Sequence, residues 1–150
     1  MDTSLMLQPM VALILWTMLI WLWMYVTRIP AMNKAKIDTA NLVGGTGGNL
    51  DELLPPEVQW KAHNYNHLLA EPMLFYAICV VLILAGQDYG LNLTIAWAYV
   101  GLRVLHSLVQ VTVNRVMYRF LLFALSSLCI IALAIHAAIA VFHLRGWVTG

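Results

Sequence analysis

The sequence predicts an all-α integral membrane protein, a bundle of four transmembrane helices forming one domain over residues 1–150. Three observations lead there. The chain is 62% apolar and only 10% charged, with a mean hydropathy of +0.80, more hydrophobic surface than a soluble domain of this length can hide. Four apolar stretches, residues 7–26, 68–85, 91–113 and 120–142, are each long enough to cross a bilayer as a helix. The turns joining the last three stretches are tight, which makes those helices antiparallel neighbours.

The first stretch resembles a signal peptide only superficially. Its leading segment carries Asp2 and no Lys or Arg, its apolar run is too long for the core of a signal, and no small-x-small cleavage site follows. It is expected to stay in the mature protein. The long connection Thr27–Leu54 contains a Gly-Gly-Thr-Gly-Gly run at 44–48. No Lys-Ser/Thr follows and no strand precedes it, so a flexible linker is expected rather than a phosphate loop.

Pro55, Pro56 and Glu57 then read as the start of helix two, since proline suits a first helical turn and an acid there complements the helix dipole. This helix begins about a dozen residues before its apolar part, a full three turns. Turns at Gly86–Gly90 and Asn114–Tyr118 close helices two and three.

Loops one and three hold Arg28, Lys34, Lys36, Lys61, Arg115 and Arg119, whereas the other side holds only Arg145. The positive-inside rule puts those loops in the cytoplasm and both termini on the non-cytoplasmic side. Trp21, Trp23, Trp60, Trp97 and Trp147 fall near span ends, as interfacial anchors do. The net charge of +1 gives no reason to invoke nucleic acid. Cys79 and Cys129 lie inside spans and suggest packing rather than a disulfide or zinc pattern.

Arg103 stands near the middle of the third stretch, where a charge is costly and needs a partner. Helix three extends it into a stripe with His106, Gln110 and Asn114, and helix two carries a second stripe of Trp60, His63, Asn64, His67 and Glu71. At 1.5 Å per residue, Glu71 lies about 22 Å below the outer turn, Arg103 about 18 Å and His106 about 22 Å. The stripes can therefore meet, with Arg103 paired to Glu71. They form either a polar clasp between helices or subunits, or the lining of a polar pocket open to the cytoplasm.

His63, His67 and Glu71 spread over two helical turns, which argues against a metal site. His136 and His143 fall toward the outer end of helix four and are read as interfacial. Arg115, Tyr118 and Arg119 cluster at its cytoplasmic start. They serve either as topogenic, snorkelling side chains or as a recognition site for an anionic group or a thiolate.

The segments His63–Ala77 (HNYNHLLAEPMLFYA) and Gly101–Ser127 (GLRVLHSLVQVTVNRVMYRFLLFALSS), with the Pro-Pro-Glu start, resemble bacterial members of the MAPEG family, the membrane-associated proteins in eicosanoid and glutathione metabolism. The resemblance covers nearly the whole chain. It implies a homotrimer with sites between subunits near the cytoplasmic face of a bacterial inner membrane. Catalytic members bind glutathione there and transfer its thiolate to lipophilic electrophiles or reduce lipid peroxides. Other members act as lipid-binding or scaffold proteins.

In active members the glutathione-binding segment reads Arg-Ala-x-x-Asn-x-x-Glu. Without gaps, His63 stands at the arginine, His67 at the asparagine and Ala70 at the glutamate. Glu71 comes one residue late, about 100° around the helix. A position often held by tyrosine falls on His106. The thiolate-stabilising arginine implied by the family falls on Arg115 or Arg119. The candidate ligand-binding set is therefore His63, Asn64, His67, Glu71, Arg103, His106 and Tyr118, with Arg115 and Arg119 as candidate catalytic residues.

The expected function is binding of an amphipathic or anionic ligand, glutathione or lipid, at subunit interfaces; whether glutathione transferase or peroxidase chemistry runs on the degraded motif stays open. Glutathione would then be a cosubstrate, with no metal involved. The alternative is a non-catalytic accessory subunit of a larger membrane assembly. Small residues on helix four, including Ser127 and Ala134, would serve its packing. The chain shows no internal repeat or broken-helix pair of the transporter kind.

Overall fold

A computed structural model describes residues 4–38, 40–41 and 43–142, so the expectations placed on Asp2, His143, Arg145 and Trp147 fall outside the described residues. Five α-helices follow one another: α1 Leu7–Lys34, α2 Pro56–Ala70, α3 Pro72–Leu84, α4 Leu91–Thr112 and α5 Val116–Val141. A single 3-10 turn, Gly47–Leu50, interrupts the long first connection.

The first helix runs two turns beyond the expected 7–26. Pro30 lies inside it, close enough to the end that the lost hydrogen bond is tolerated on an exposed face. Helix two begins at Pro56 as the Pro-Pro-Glu run implies, but Pro72 divides it into α2 and α3. A proline in a helix interior removes one backbone donor and crowds the carbonyl four residues earlier, which loosens the turn. Glu71 keeps helical angles (φ −61°, ψ −38°) at the junction, so the two pieces continue along one path.

Two left-handed residues close the turns. Gly86 (φ +64°) follows α3 and donates to Ile83, while Gln87 reaches back to Leu82 at 2.8 Å. Asn114 (φ +51°) follows α4 and donates to Val109 at 2.7 Å. Glycine and asparagine are the residues that accept this backbone conformation at a helix C-terminus. The second turn is tighter than the expected Asn114–Tyr118, because α5 already starts at Val116.

The connection before α2 is more ordered than a flexible linker. Arg28 at the end of α1 donates to the Gly47 carbonyl at 2.9 Å and to Gln59 Oε1 at 3.0 Å. Thr46 and Asn49 bond through Asn49 Oδ1 and tighten the 3-10 turn. Arg28 thus pins the glycine-rich segment to α2, in addition to carrying a loop charge.

α4 sits centrally, packed against α1, α2 and α5, while α3 packs on α5 and α1 on α2. Leu13 and Ile20 of α1, Leu68 of α2, Phe75, Cys79 and Leu82 of α3, Ala96 and Tyr99 of α4 and Leu133 of α5 form one core. Phe75 and Tyr99 stack at 4.5 Å across α3 and α4. Cys79 is buried, Cys129 half-buried, and both thiols are free. Outward faces stay apolar: Leu15, Leu128 and Ile135 are all more than half exposed, as lipid-facing positions require.

Among the described residues, three stretches are long and apolar enough to cross a membrane: Leu7–Lys34, Pro56–Leu84 and Val116–Val141. α4 is not among them, although it has 22 residues. Its buried face carries Asn92, Arg103, His106, Ser107 and Gln110, and those polar groups lower its mean hydropathy.

Candidate functional site

The break at Pro72 places the polar groups. The side chain of Glu71 turns into the bundle, and Arg103 Nη2 meets its Oε2 at 2.9 Å. Ser127 of α5 donates to Glu71 Oε1 at 2.9 Å, so the carboxylate joins three helical segments. Arg103 is 1% exposed. Its Nη2 also approaches the His67 carbonyl at 3.5 Å, a long contact on the turn before the proline. The guanidinium lies between two rings, 5.7 Å from Tyr99 and 5.4 Å from Phe123, a cation–π arrangement that offsets part of the desolvation. Its Nε and Nη1 find no hydrogen-bond partner among the described residues.

One turn nearer the α4–α5 connection, Asn64 Nδ2 donates to Gln110 Oε1 at 2.8 Å and Ser107 Oγ donates to Asn64 Oδ1 at 2.6 Å. All three are essentially buried. These six side chains constitute the clasp between helices. The pairing of Glu71 with Arg103 follows the expectation from matched depth, while Ser107 and Ser127 enter it unforeseen. Ser107 shares the α4 face of Arg103 at i+4, a spacing that could have marked it.

Next to the clasp lies a cavity of about 230 Å³ bounded by His67, His106, Val116, Arg119, Phe120 and Phe123. The His67 and His106 rings are 5.9 Å apart, and His106 lies 6.2 Å from Phe123. Arg119 Nη1 donates to Asn114 Oδ1 at 2.6 Å, which ties the guanidinium to the left-handed turn. Its Nε is buried without a hydrogen-bond partner among the described residues. A cation with an unpaired donor at an apolar-walled cavity suits an anionic group.

The expected binding residues therefore separate into groups. Asn64, Glu71 and Arg103 are engaged in the clasp, while His67, His106 and Arg119 share the cavity. Arg115 and Tyr118 are exposed and line no part of it. His63 does not continue the α2 stripe inward: it is exposed and meets Asp51 at 3.1 Å. That pair borders a separate space of about 430 Å³ lined by Arg28, Thr46, Gly47 and Asn66 among others. The docked first loop supplies Asp51 from 12 residues away, a tertiary contact that helix periodicity does not reveal.

His136 is also more than interfacial, since its Nδ1 bonds Asn92 Oδ1 at the opposite end of the bundle. Among the described residues, no three His, Cys, Asp or Glu side chains gather as a metal site.

No curated protein and no solved structure matches the chain. The MAPEG family model matches residues 6–139, all five helices but for the last two residues of α5. Together with the apolar helices, this match shows an integral membrane protein, and the chain belongs to the MAPEG family.

Proposed function

We propose that the chain binds the anionic end of an amphipathic ligand, glutathione or a lipid, in the cavity beside Arg119. One observation carries this reading: Arg119 is held by Asn114 with its Nε unpaired, at a cavity shared with two histidines and two phenylalanines. At about 230 Å³ the space is smaller than the roughly 300–1,000 Å³ of small-molecule pockets. It therefore takes one end of the ligand, and a neighbouring copy in a homotrimer covers the rest.

In this arrangement α4 also spans the membrane, with its polar face turned inward and Leu105 and Leu108 outward, so the chain crosses four times. Loops one and three face the cytoplasm of a bacterial inner membrane, with both termini on the other side. The distribution of Arg28, Lys34, Lys36, Arg115 and Arg119 supports that orientation. Glutathione fits as a cosubstrate through its carboxylates or thiolate at Arg119, and lipid fits through its headgroup.

The test is titration of purified protein with glutathione and, separately, with an anionic single-chain lipid, followed by the same titrations on Arg119→Ala. Saturable binding that weakens at least about tenfold in the variant, or 1.4 kcal/mol, supports the reading. Binding of neither ligand at millimolar concentration overturns it.

A second reading has its own observation. Glu71 and Arg103 hold each other and Ser127, and the family's glutamate position holds Ala70. A chain whose polar groups serve packing suits an accessory subunit of a larger membrane assembly. Stoichiometric co-purification of another membrane protein in mild detergent favours this second reading; a lone homotrimer retaining ligand favours the first.

A further inference from the structure

At the end of the bundle opposite Arg119, a cavity of about 310 Å³ opens between the α3–α4 turn and the end of α5. Gln87, Tyr89, Asn92 and His136 give it a polar wall, and Ile139 and Ala140 an apolar one. The hydrogen bonds in this wall have a fixed direction. Asn92 is buried, and its Nδ2 donates to the Gln87 carbonyl at 2.7 Å. Its Oδ1 is thereby turned to His136 Nδ1, and a carbonyl oxygen can only accept. His136 Nδ1 therefore carries the proton, and in the neutral ring Nε2 keeps its lone pair. No hydrogen bond among the described residues reaches Nε2.

We propose that this cavity is a second binding site, one that takes a polyhydroxyl group, with His136 Nε2 accepting a hydrogen bond donated by one of its hydroxyls. The volume matches the lower end of small-molecule pockets, enough for a glycerol or sugar group and too small for acyl chains. Among the described residues no three His, Cys, Asp or Glu side chains gather around His136, so its hydrogen bonds are what define the site. Leu91 and Tyr89 line the cavity and are both about two-thirds exposed. That apolar and amphipathic rim favours a group carried on a lipid over a free polyol.

Full-length protein is placed in nanodiscs of phosphatidylcholine doped with phosphatidylglycerol or with phosphatidylethanol, which has the same charge and no headgroup hydroxyl. Retained lipid is counted by native mass spectrometry near pH 8. Phosphatidylglycerol should be retained about three- to tenfold over phosphatidylethanol, the weight of one hydrogen bond. His136→Ala should erase the preference. Ala140→Leu, which fills the cavity and leaves the His136–Asn92 bond in place, should erase it too. A parallel titration with free glycerol separates the sources: displacement of the lipid assigns the site to soluble polyols as well. Equal retention of the two lipids with no response to glycerol overturns the proposal, as does an unchanged preference in both variants.

Discussion

Arg103 Nη2 lies 2.9 Å from Glu71 Oε2, which ties the centre of α4 to the proline break in the second apolar helix. Each group explains the other's position. A guanidinium 1% exposed needs an acceptor, and the break at Pro72 delivers a carboxylate to its depth. The Ser127 hydroxyl then supports the carboxylate from α5.

Removing one partner leaves the other charged and buried. Arg103→Leu and Glu71→Leu should each destabilise the protein by about 3–5 kcal/mol, whereas the double variant should recover most of that loss. Denaturant-driven unfolding in mixed micelles measures all three. If the single variants match the parent, the ion pair has no structural role.

The neighbouring amide network makes a smaller claim of the same kind. Ser107→Ala takes the donor from Asn64 Oδ1, which is fully buried, and should cost about 1–3 kcal/mol. Thr112→Val removes only an exposed hydroxyl bonded within its own helix, to Leu108, and should stay within about 0.5 kcal/mol. Equal effects of the two substitutions would remove the network's importance.

How much of this was legible in the sequence differs from group to group. Arg103 and Glu71 could be paired from depth alone, because desolvation leaves a mid-membrane charge few alternatives. The helix start at Pro56 and the turn at Gly86 were written in local chemistry. The break at Pro72 was visible too, but the apolar run around it concealed the proline's effect.

What escaped depends on distant contacts. His63 looked inward by periodicity until the first loop brought Asp51 to it. The choice between Arg115 and Arg119 rested on where α5 starts. The turn's beginning at Asn114 was legible, but α5 starts at Val116, inside the expected turn, because the one left-handed residue is enough to close it.

The ordering of the glycine-rich connection depends on Arg28, which bonds both Gly47 and Gln59. Arg28→Ala should free the segment between Val43 and Leu50 and speed its cleavage by an added protease at least about tenfold, equivalent to 1.4 kcal/mol of easier opening. Lys34→Ala, which removes a charge from the same helix end, serves as the control. Unchanged cleavage in Arg28→Ala would show that the loop is held by other contacts.

The choice between the two arginines beside α5 is open to a direct test of function. Arg119 borders the cavity and Arg115 is exposed outside it, so the two variants should differ. If glutathione is the ligand, Arg119→Ala should reduce its affinity at least about tenfold, or 1.4 kcal/mol. It should also abolish any thiolate absorbance that appears near neutral pH, since a nearby cation is what lowers a thiol pKa. Arg115→Ala should leave both signals in place. Asn114→Gly provides the finer test, because glycine keeps the left-handed turn and loses the oxygen that aims Arg119 at the cavity. Affinity should fall several-fold there, the weight of one charge-assisted hydrogen bond, with the thiolate signal weakened rather than lost. A loss of binding in Arg115→Ala with Arg119→Ala unaffected would move the anion site out of the cavity and onto the exposed start of α5.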